Sequence, residues 1–433
     1  MANNSRKKKK VKGGLSGKAF LRTPFDWSLI LCLILLNIFG LIMIYSASYY
    51  YGPKAYGYAP DYFFKSQLRY VIIGLVLMFA LSFIRPKFYR KLGPLALFLS
   101  LALLFAVRIP GIGHASHGAY RWIKLGSLQL QIAEPIKLGI IVYLAAAMTK
   151  YDTSNRLVFI MLSFVGLFFA GGILILSNNL STAIIIFGIF FFMLMLNAKN
   201  QKPFVIFMIV VALLAVFAVL MIEFKIPYQE GESFRLTRIR AWLHPTDPLF
   251  IDEEAYQPTQ ALYAIASGGF FGKGLGQSLL KFTLPEPHND YILSIIFEEL
   301  GVLGVMILTY LFIYLLYRHV IEYRSTKDKF SRLLIQGIFL HLSIQIVLNY
   351  MVVLGLFPTT GVTLPFISYG GTSVLFTLAE MGLVLSAQRY GVELEIYKEA
   401  REEVENEDPY LKSLLEKNKR EKARKERTAA RRR

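Results

Sequence analysis

The sequence contains a single cysteine, Cys32, among 433 residues, and this residue lies inside the first long apolar run. One cysteine excludes an intramolecular disulfide and a cysteine-based metal site. Charged residues are also scarce, at 18% of the chain, whereas hydrophobic residues make up 55%. A soluble protein of this length does not need so much apolar surface, so the composition indicates a membrane protein.

The apolar residues form continuous runs, not the alternating pattern of a transmembrane β-barrel. Many of these runs are long enough to cross about 30 Å of hydrocarbon, which takes roughly 20 helical residues. We therefore predict an all-α, polytopic membrane protein with about ten transmembrane helices. The predicted spans are near 27–45, 68–84, 94–107, 132–148, 157–176, 180–197, 204–224, 291–317, 333–355 and 373–388.

Basic residues predict the orientation of the chain. The formal net charge is +19, and much of it lies in an N-terminal arm and in a C-terminal tail that ends in three arginines. Short loops rich in Lys and Arg alternate with longer loops of mixed charge, and the positive-inside rule makes the basic loops and both termini cytoplasmic. Basic tails beside membrane spans contact anionic lipid, so this placement argues against nucleic-acid binding. No small-residue cleavage site follows 27–45, so we expect an uncleaved first span.

The chain accordingly divides into three parts. A basic cytoplasmic arm covers 1–24, a ten-helix membrane domain covers 25–390, and a charged cytoplasmic tail covers 391–433. The longest outer loop, 225–290, lies between helices 7 and 8 and contains many polar side chains. Any chemistry carried by this loop is therefore expected on the outer side of the membrane.

Two arginines are the first candidate binding residues of this outer loop. Arg235 and Arg238 are three residues apart, so one helical turn would place them on the same face. A guanidinium offers a rigid fork of donors that suits a phosphate or pyrophosphate headgroup. Contact with ordinary lipid phosphates explains the pair equally well, and both interpretations stay open here.

The glycine-rich run 267–278 lacks the ending of a nucleotide-binding loop and predicts a tight, closely packed turn.

The end of the outer loop carries three ionisable residues, Glu286, His288 and Asp290, directly before an apolar helix. Asp290 could simply cap that helix. The polar neighbours favour a second interpretation, in which a carboxylate beside a desolvating surface has its proton affinity raised and acts as a general base. Glu298 and Glu299 lie deeper in the same helix, and at least one of them must face the protein interior or a cavity.

Polar residues also mark other helices and the last outer loop. Glu134 and Lys137 are one helical turn apart at the start of an apolar run, where they could neutralise each other or line a polar cavity. Gln345 and Asn349 share a helical face just before the loop 356–372, which is rich in Pro and Gly. Irregular backbone at membrane depth must be packed in protein or line water, so we predict a re-entrant or tightly folded loop.

Several motifs, taken together, resemble one family. The chain contains Phe-Arg-x-x-Arg at 234–238, Tyr-Gln-x-x-Gln at 256–260, Leu-Pro-Glu-x-His-x-Asp at 284–290 and Pro-Phe-x-Ser-Tyr-Gly-Gly-Thr-Ser at 365–373. In this order they resemble the SEDS proteins of shape, elongation, division and sporulation, and they are more similar to FtsW or SpoVE than to RodA. The resemblance covers about 25–390.

The resemblance implies a peptidoglycan glycosyltransferase that polymerises lipid II on the outer face of the bacterial cytoplasmic membrane. The family's essential carboxylate falls on Asp290, which would deprotonate the acceptor sugar's 4-hydroxyl. Arg235, Arg238 and Lys137 are candidates to neutralise the leaving pyrophosphate, and a divalent cation, Mg²⁺ or Mn²⁺, is a further candidate. The other predicted substrate-binding residues are Glu134, Glu286, His288, Gln260 and Ser368.

The resemblance also implies partners, and it leaves two alternatives open. The expected partners are a class B penicillin-binding protein and other proteins of the divisome or elongasome. The alternatives are a lipid II flippase, and a scaffold without catalysis that recruits the penicillin-binding protein. One departure from the family pattern is Asn179, which replaces the usual aspartate between helices five and six, so the role of that aspartate is not transferred.

Overall fold

The computed structural model describes residues 25–116, 119–125, 128–224, 228 and 234–407. The predicted arm 1–24 and the residues 408–433 of the predicted tail lie outside this part of the chain. The first helices and the strands are α1 (Trp27–Ser48), α2 (Tyr51–Tyr56), α3 (Tyr62–Ser82), α4 (Pro86–Ala106), β1 (Gly113–Ser116), β2 (Ala119–Leu125) and β3 (Leu128–Gln131). The remaining helices are α5 (Ala133–Lys150), α6 (Arg156–Leu176), α7 (Leu180–Asn197), α8 (Lys202–Phe224), α9 (Phe234–Leu243), α10 (Tyr256–Gly268), α11 (Ile292–Ser325), α12 (Lys329–Val353) and α13 (Gly371–Glu407).

The predicted multi-pass helical fold is confirmed. Eight helices are long and apolar enough to cross a membrane, namely α1, α3, α4, α6, α7, α8, α11 and α12. The remaining predicted spans, 132–148 and 373–388, fall on α5 and α13. The span predicted from residue 94 begins earlier, at Pro86, because Lys87, Arg90 and Lys91 lower the hydropathy of turns that are nevertheless helical.

Helix α12 is at the centre of the bundle. It packs against α5, α7, α11 and α13, and most of its residues are buried. Helix α8 is the opposite case, since it is apolar all round and almost fully exposed, as expected for a helix that faces lipid. Helix α13 packs along α3 and continues past residue 390 to Glu407, so the predicted tail begins as helix.

A small antiparallel sheet stands beside the N-terminal end of α5, and the sequence did not predict it. Its strand order is β1-β2-β3, and Trp122 on β2 pairs with Gln131 on β3. The backbone N–H of Ile132 donates to the carbonyl of Arg121 at 3.1 Å. The sheet thereby places Arg121 directly above the first turn of α5.

The glycine-rich run forms the tight turn that the sequence predicts, and it packs against a break in α11. Gly301 has a φ of +69°, a left-handed conformation that interrupts the helix. The N–H groups of Lys273 and Gly274 donate to the carbonyls of Glu298 and Glu299, both at 2.9 Å. The freed carbonyls of α11 are therefore satisfied by the turn, which attaches the outer loop to the bundle.

The side chains of Glu298 and Glu299 face the protein interior, as predicted, and both are fully buried. Glu298 accepts from Lys273 Nζ at 2.7 Å, and Glu299 accepts from Ser46 Oγ of α1 at 2.7 Å. Lys281 Nζ lies 3.5 Å from Glu299. Each carboxylate thus has a lysine partner, which offsets part of the cost of burying its charge.

The last outer loop is tightly folded into the bundle, as predicted. Asn349 Nδ2 donates to the carbonyl of Val362 at 2.7 Å, and Gln345 Nε2 donates to that of Thr363 at 3.0 Å. Ser368 Oγ accepts from the N–H of Leu364 at 2.8 Å. Side chains of α12 and of the loop itself therefore satisfy the irregular backbone, which makes its position inside the bundle tolerable.

Candidate active site around Asp290

Asp290 lies just before α11, and its carboxylate is not used to cap that helix. The N-cap position is Tyr291, and it makes no side-chain capping bond. The carbonyl of Asp290 accepts from Asn349 Nδ2 at 2.9 Å, which ties its backbone to α12. The residue as a whole is half-buried, and its carboxyl group lies deep among protein atoms. Asp290 therefore combines a desolvated carboxyl with a position near the protein surface.

Two arginines from different elements act on this carboxylate. Arg121 comes from β2 and Arg238 from α9, and both interact electrostatically with Asp290. Arg238 Nη1 also donates to the carbonyl of Thr359 at 3.2 Å, which holds α9 against the last outer loop. The site therefore contains two guanidiniums around one carboxylate, an arrangement suited to an anionic group bound beside a base.

The environment raises the proton affinity of Asp290. Burial raises the pKa of this carboxyl to about 6, and the negative charge of Glu286 acts in the same direction. Arg121 and Arg238 act in the opposite direction and keep the pKa from rising further. A base with a pKa near the working pH combines a large deprotonated fraction with a useful affinity for the substrate's proton.

Glu286 is held by its neighbours on the loop and on α2. Its carboxylate accepts from Tyr56 Oη at 3.2 Å and from Asn289 Nδ2 at 2.5 Å. Its φ is +49°, a conformation that non-glycine residues rarely adopt and that clusters at functional sites. The loop thus fixes a second carboxylate near Asp290.

His288 lies on the packed side of the same loop. Its ring contacts those of Tyr51, Phe63 and Tyr369, with centroid distances of 5.7, 4.2 and 5.4 Å. Burial lowers the pKa of His288 to about 3, so the ring is neutral at physiological pH. The carbonyl of His288 accepts from the N–H of Tyr369 at 2.8 Å. These contacts give His288 a place in holding the two outer loops together.

Glu134 and Lys137 face the interior of the bundle, below the Arg121 hairpin. Lys137 Nζ lies 3.0 Å from Glu134 Oε1 and donates to Gln345 Oε1 at 2.9 Å. Lys137 is only 2% exposed, so its ammonium is paired within the protein, as a buried charge requires. The sequence alone left open whether the two residues neutralise each other or line a polar cavity. The structure contains the neutralising ion pair, and Gln345 is a further partner of Lys137.

Three other predicted residues lie around this centre without joining it. Arg235 is exposed on α9, one turn before Arg238. Gln260 is half-buried on α10, and Ser368 is buried with its hydroxyl engaged inside its own loop. The predicted pair of arginines is therefore divided, because Arg238 reaches the centre and Arg235 faces outward.

Arg121 and Asn349 were not predicted as site residues. Asn349 stood out only as part of a polar helical face, and Arg121 becomes adjacent to Asp290 only through the small sheet. Several polar atoms here are buried without a hydrogen-bond partner in the described part of the chain: Arg121 Nε, Tyr291 Oη, Asn349 Oδ1 and Thr360 Oγ1. Buried polar groups normally have partners, so these atoms are suited to meet a polar ligand.

Asn179 has a structural role that an amide fills as well as a carboxylate. It is the N-cap of α7, and its Oδ1 accepts from the N–H of Thr182 at 3.0 Å. Asn and Asp are about equally good at this position. Two residues on, the Ser181 hydroxyl donates to the carbonyl of Thr360, so the cap supports the loop that reaches Asp290.

Comparison with known proteins gives concordant matches. A family model described as "Cell cycle protein" (FtsW/RodA/SpoVE) matches residues 26–392. A curated relative from Trichlorobacter lovleyi, "Probable peptidoglycan glycosyltransferase FtsW", is 36% identical over 85% of this chain and 94% of its own length. "Stage V sporulation protein E" of Bacillus subtilis is 34% identical over 85% of this chain and 98% of its own.

Solved structures agree with these sequence matches. One chain comes from a structure described as "Structural coordination of polymerization and crosslinking by a peptidoglycan synthase complex". It has a TM-score of 0.69 and 28% identity, covering 84% of this chain and 98% of its own. The rod shape determining protein RodA of Thermus thermophilus has a TM-score of 0.61 and 26% identity, covering 84% and 97%.

Proposed function

This chain belongs to the FtsW/RodA/SpoVE family and is a peptidoglycan glycosyltransferase, and we propose that it polymerises lipid II with Asp290 as the general base. The observation that carries the proposal is the carboxyl group of the half-buried Asp290, whose pKa burial raises to about 6. Its two arginine neighbours supply positive charge at the same place.

The proposed reaction joins two lipid-linked sugars. Asp290 accepts the proton of the acceptor's 4-hydroxyl as that oxygen bonds to the anomeric carbon of the donor. The bond from the anomeric carbon to the pyrophosphate oxygen breaks, and undecaprenyl pyrophosphate leaves with the electron pair. The proton on Asp290 is then released to water, which restores the carboxylate for the next addition.

The leaving pyrophosphate gains negative charge as the bond breaks, so cations nearby lower the barrier. The interaction of Arg238 and Arg121 with the Asp290 centre supports this role for the two arginines. Lys137 is a third candidate, below the hairpin that carries Arg121. Arg235 is exposed on the same helix as Arg238 and would meet the headgroup only from the outside.

No step of the proposed reaction uses a metal ion. Within the residues that the structure describes, no group of three or more His, Cys, Asp or Glu side chains could hold one. A contribution from Mg²⁺ or Mn²⁺ stays a prediction from the family resemblance. It is tested by adding EDTA to the polymerisation assay and then restoring each ion in turn.

We also propose the membrane orientation of the enzyme and the class of protein that it works with. The chain is a multi-pass membrane protein, and we infer that the Asp290 centre faces outward with both termini in the cytoplasm, since the short basic loops lie at the other end. The solved relative taken from a peptidoglycan synthase complex that couples polymerization to crosslinking supports a crosslinking partner. We propose a class B penicillin-binding protein in that role, with other divisome or elongasome proteins.

The test is glycan polymerisation from purified lipid II, with and without the penicillin-binding protein. We expect Asp290→Asn to lower the rate by about 10²-fold or more, since a general base typically contributes that much. Asp252→Asn is the matched control, because Asp252 is an exposed acid of the same outer loop. It should polymerise at the wild-type rate.

Polymerisation by Asp290→Asn at the wild-type rate would remove the general base from the proposal. Absence of chains from the wild type, with partner binding intact, would favour a scaffold. The same absence with transport of lipid II across vesicles would favour a flippase.

A further inference from the structure

A buried histidine–glutamate pair lies next to the candidate site and has no part in the reaction as proposed. His341 is on α12, one turn before Gln345, and Glu380 is on α13. His341 Nδ1 lies 2.9 Å from Glu380 Oε2, and His341 Nε2 lies 2.9 Å from Gln345 Oε1. All three side chains are at most 2% exposed. Ionisable groups at membrane depth are costly, so their presence calls for a function.

The orientation of the Gln345 amide follows from two independent partners. A lysine ammonium has only donors, so the Gln345 atom 2.9 Å from Lys137 Nζ must be the oxygen. A backbone carbonyl has only acceptors, so the atom 3.0 Å from the carbonyl of Thr363 must be the nitrogen. Both requirements give the same orientation.

This orientation fixes the protonation of the histidine. Because His341 Nε2 faces the oxygen of Gln345, that nitrogen must carry a hydrogen. The other ring nitrogen faces a carboxylate oxygen, and a hydrogen bond there needs one more proton. That proton is either on Nδ1, giving an imidazolium–carboxylate pair, or on Glu380, giving a neutral pair. In both cases the two side chains together hold one shared proton and no net charge.

The extended hydrogen-bond network then carries no net charge. Glu134 and Lys137 form one neutral pair, and His341 and Glu380 form the second, with the Gln345 amide oxygen accepting from both. Loss of the shared proton would leave one uncompensated negative charge among buried residues and would place a lone pair against a carboxylate. A buried charge without a partner is costly, and the shared proton is what keeps this network neutral.

We propose that His341 and Glu380 are positioning residues for glycan polymerisation. Their hydrogen bond fixes the imidazole so that its Nε2–H locks the Gln345 amide, and Gln345 in turn holds the Lys137 ammonium and the loop at Thr363. This inference rests on the proposed function, because it assigns Lys137 to the pyrophosphate. Two N–H bonds of Lys137 point to Glu134 and Gln345, which directs the third. A locked amide therefore sets the direction of the donor that meets the substrate.

The variants that test this role differ in what they offer the imidazole. Glu380→Gln can donate its amide N–H to a bare Nδ1, so Nε2–H still donates to Gln345 and the lock is kept without the shared proton. Glu380→Leu removes the partner of Nδ1 and releases the ring. We expect Glu380→Gln to polymerise lipid II within about twofold of wild type, and Glu380→Leu to lose about tenfold or more in kcat with a smaller change in KM.

A double-mutant cycle tests whether the pair acts through Gln345. His341→Phe alone leaves Glu380 without a partner, so His341→Phe with Glu380→Leu is the better-folded comparison. In a Gln345→Leu background this double change should lower kcat no further, since residues that act through one another are not additive. Full additivity, or wild-type kcat in the His341→Phe, Glu380→Leu protein, would overturn the positioning role. Glu380→Gln as inactive as Glu380→Leu would also overturn it, in favour of proton transfer by the carboxylate.

The shared proton has its own test, which needs no activity. The ¹⁵N spectrum of histidine-labelled protein, with His341 assigned from the His341→Phe variant, should show Nε2 carrying a hydrogen and Nδ1 in a strong hydrogen bond. Glu380→Gln should convert Nδ1 to a bare acceptor. A wild-type ring with Nε2 bare would disprove the shared proton. Failure of the general-base assignment would appear separately, as an active Asp290→Asn enzyme with the histidine spectrum unchanged.

Discussion

The reactivity of Asp290 depends on its burial and on three charged neighbours, and these influences oppose one another. Burial and Glu286 raise the pKa of this carboxyl, while Arg121 and Arg238 lower it, and the result is a pKa of about 6. A general base must be deprotonated to act, so activity should fall as the pH drops through this value. The three charged neighbours can be changed one at a time.

We predict that kcat/KM for polymerisation falls about tenfold per pH unit below an apparent pKa of about 6. Arg121→Gln removes a positive neighbour and should move this acid limb to higher pH, whereas Glu286→Gln removes a negative one and should move it to lower pH. The measurement is the rate over roughly pH 5 to 8. An acid limb that stays in place in both variants would assign the titration to another group.

The stability of the protein should show the opposite dependence. A pKa raised by folding means that the folded state binds the proton more tightly than the unfolded chain does. The contribution of Asp290 to stability therefore decreases as the pH rises from its ordinary pKa of 3.8 to about 6. Asp290→Asn should accordingly unfold at a higher temperature than wild type at neutral pH, and this difference should vanish in acid.

The two arginines of α9 form a natural comparison. Arg238 interacts with Asp290 and donates to the carbonyl of Thr359, while Arg235 is exposed one turn away. We predict that Arg238→Ala lowers kcat/KM by about 10²-fold, as expected for the loss of a charged group that stabilises the transition state. Arg235→Ala should lose less than about tenfold. The measurement is polymerisation of lipid II, and equal losses in the two variants would argue for a role in loop structure.

At the scale of elements, the loop 356–370 completes the site. Gln345 and Asn349 hold its backbone from α12, and Arg238 holds it from α9. The loop in turn brings Gly361 next to the acid, since a Cβ built on Gly361 would lie 3.3 Å from Asp290 Oδ2. The free space beside the carboxylate therefore depends on a residue without a side chain.

We predict that Gly361→Ala lowers polymerisation more than it lowers stability. Its φ of +70° makes any side chain unfavourable, and the added methyl group also meets Asp290. Gly57→Ala is the control, because Gly57 has a similar φ of +66° and no atom within 4 Å of the added Cβ. Both variants should lose about 1 kcal/mol of stability, with activity lost in Gly361→Ala alone. Parallel loss of activity in both variants would attribute the effect to backbone strain.

At the scale of the whole molecule, the long helices could be predicted from the sequence because they depend on one-dimensional signals. Continuous apolar runs predicted every long helix, and runs such as 180–197 matched the helix bounds directly. The start of α4 was missed because Lys and Arg lower hydropathy without ending a helix. The cluster of ionisable residues before α11 and the motif similarity both pointed to Asp290.

The remaining parts of the site depend on contacts between distant segments. Arg121 reaches Asp290 only because a three-stranded sheet covers the end of α5, and short strands of mixed composition give little periodicity. The His341–Glu380 pair joins α12 and α13, and neither residue stands out in its own helix. The three-residue spacing of Arg235 and Arg238 also could not show that Arg238 contacts the site while Arg235 is exposed.

The proposed orientation can be tested on the intact protein because its single cysteine is buried and should give little background labelling. Cys32 is 2% exposed in α1, so a thiol reagent should label wild type poorly. Tyr58→Cys and Asp252→Cys place exposed thiols on predicted outer segments, and Lys199→Cys places one on a predicted cytoplasmic loop. Ser5→Cys lies in the N-terminal arm, for which the sequence predicts a cytoplasmic location.

We predict that a membrane-impermeant maleimide labels Tyr58→Cys and Asp252→Cys in intact spheroplasts, and labels Lys199→Cys and Ser5→Cys only after permeabilisation. The reason is the concentration of Lys and Arg on one side, which sets the orientation of the whole bundle. The inverse pattern would place Asp290 at the cytoplasmic face, where it could not polymerise an outward-facing substrate. Polymerisation outside the cell therefore requires both the labelling pattern and the Asp290 phenotype, and each can fail without the other.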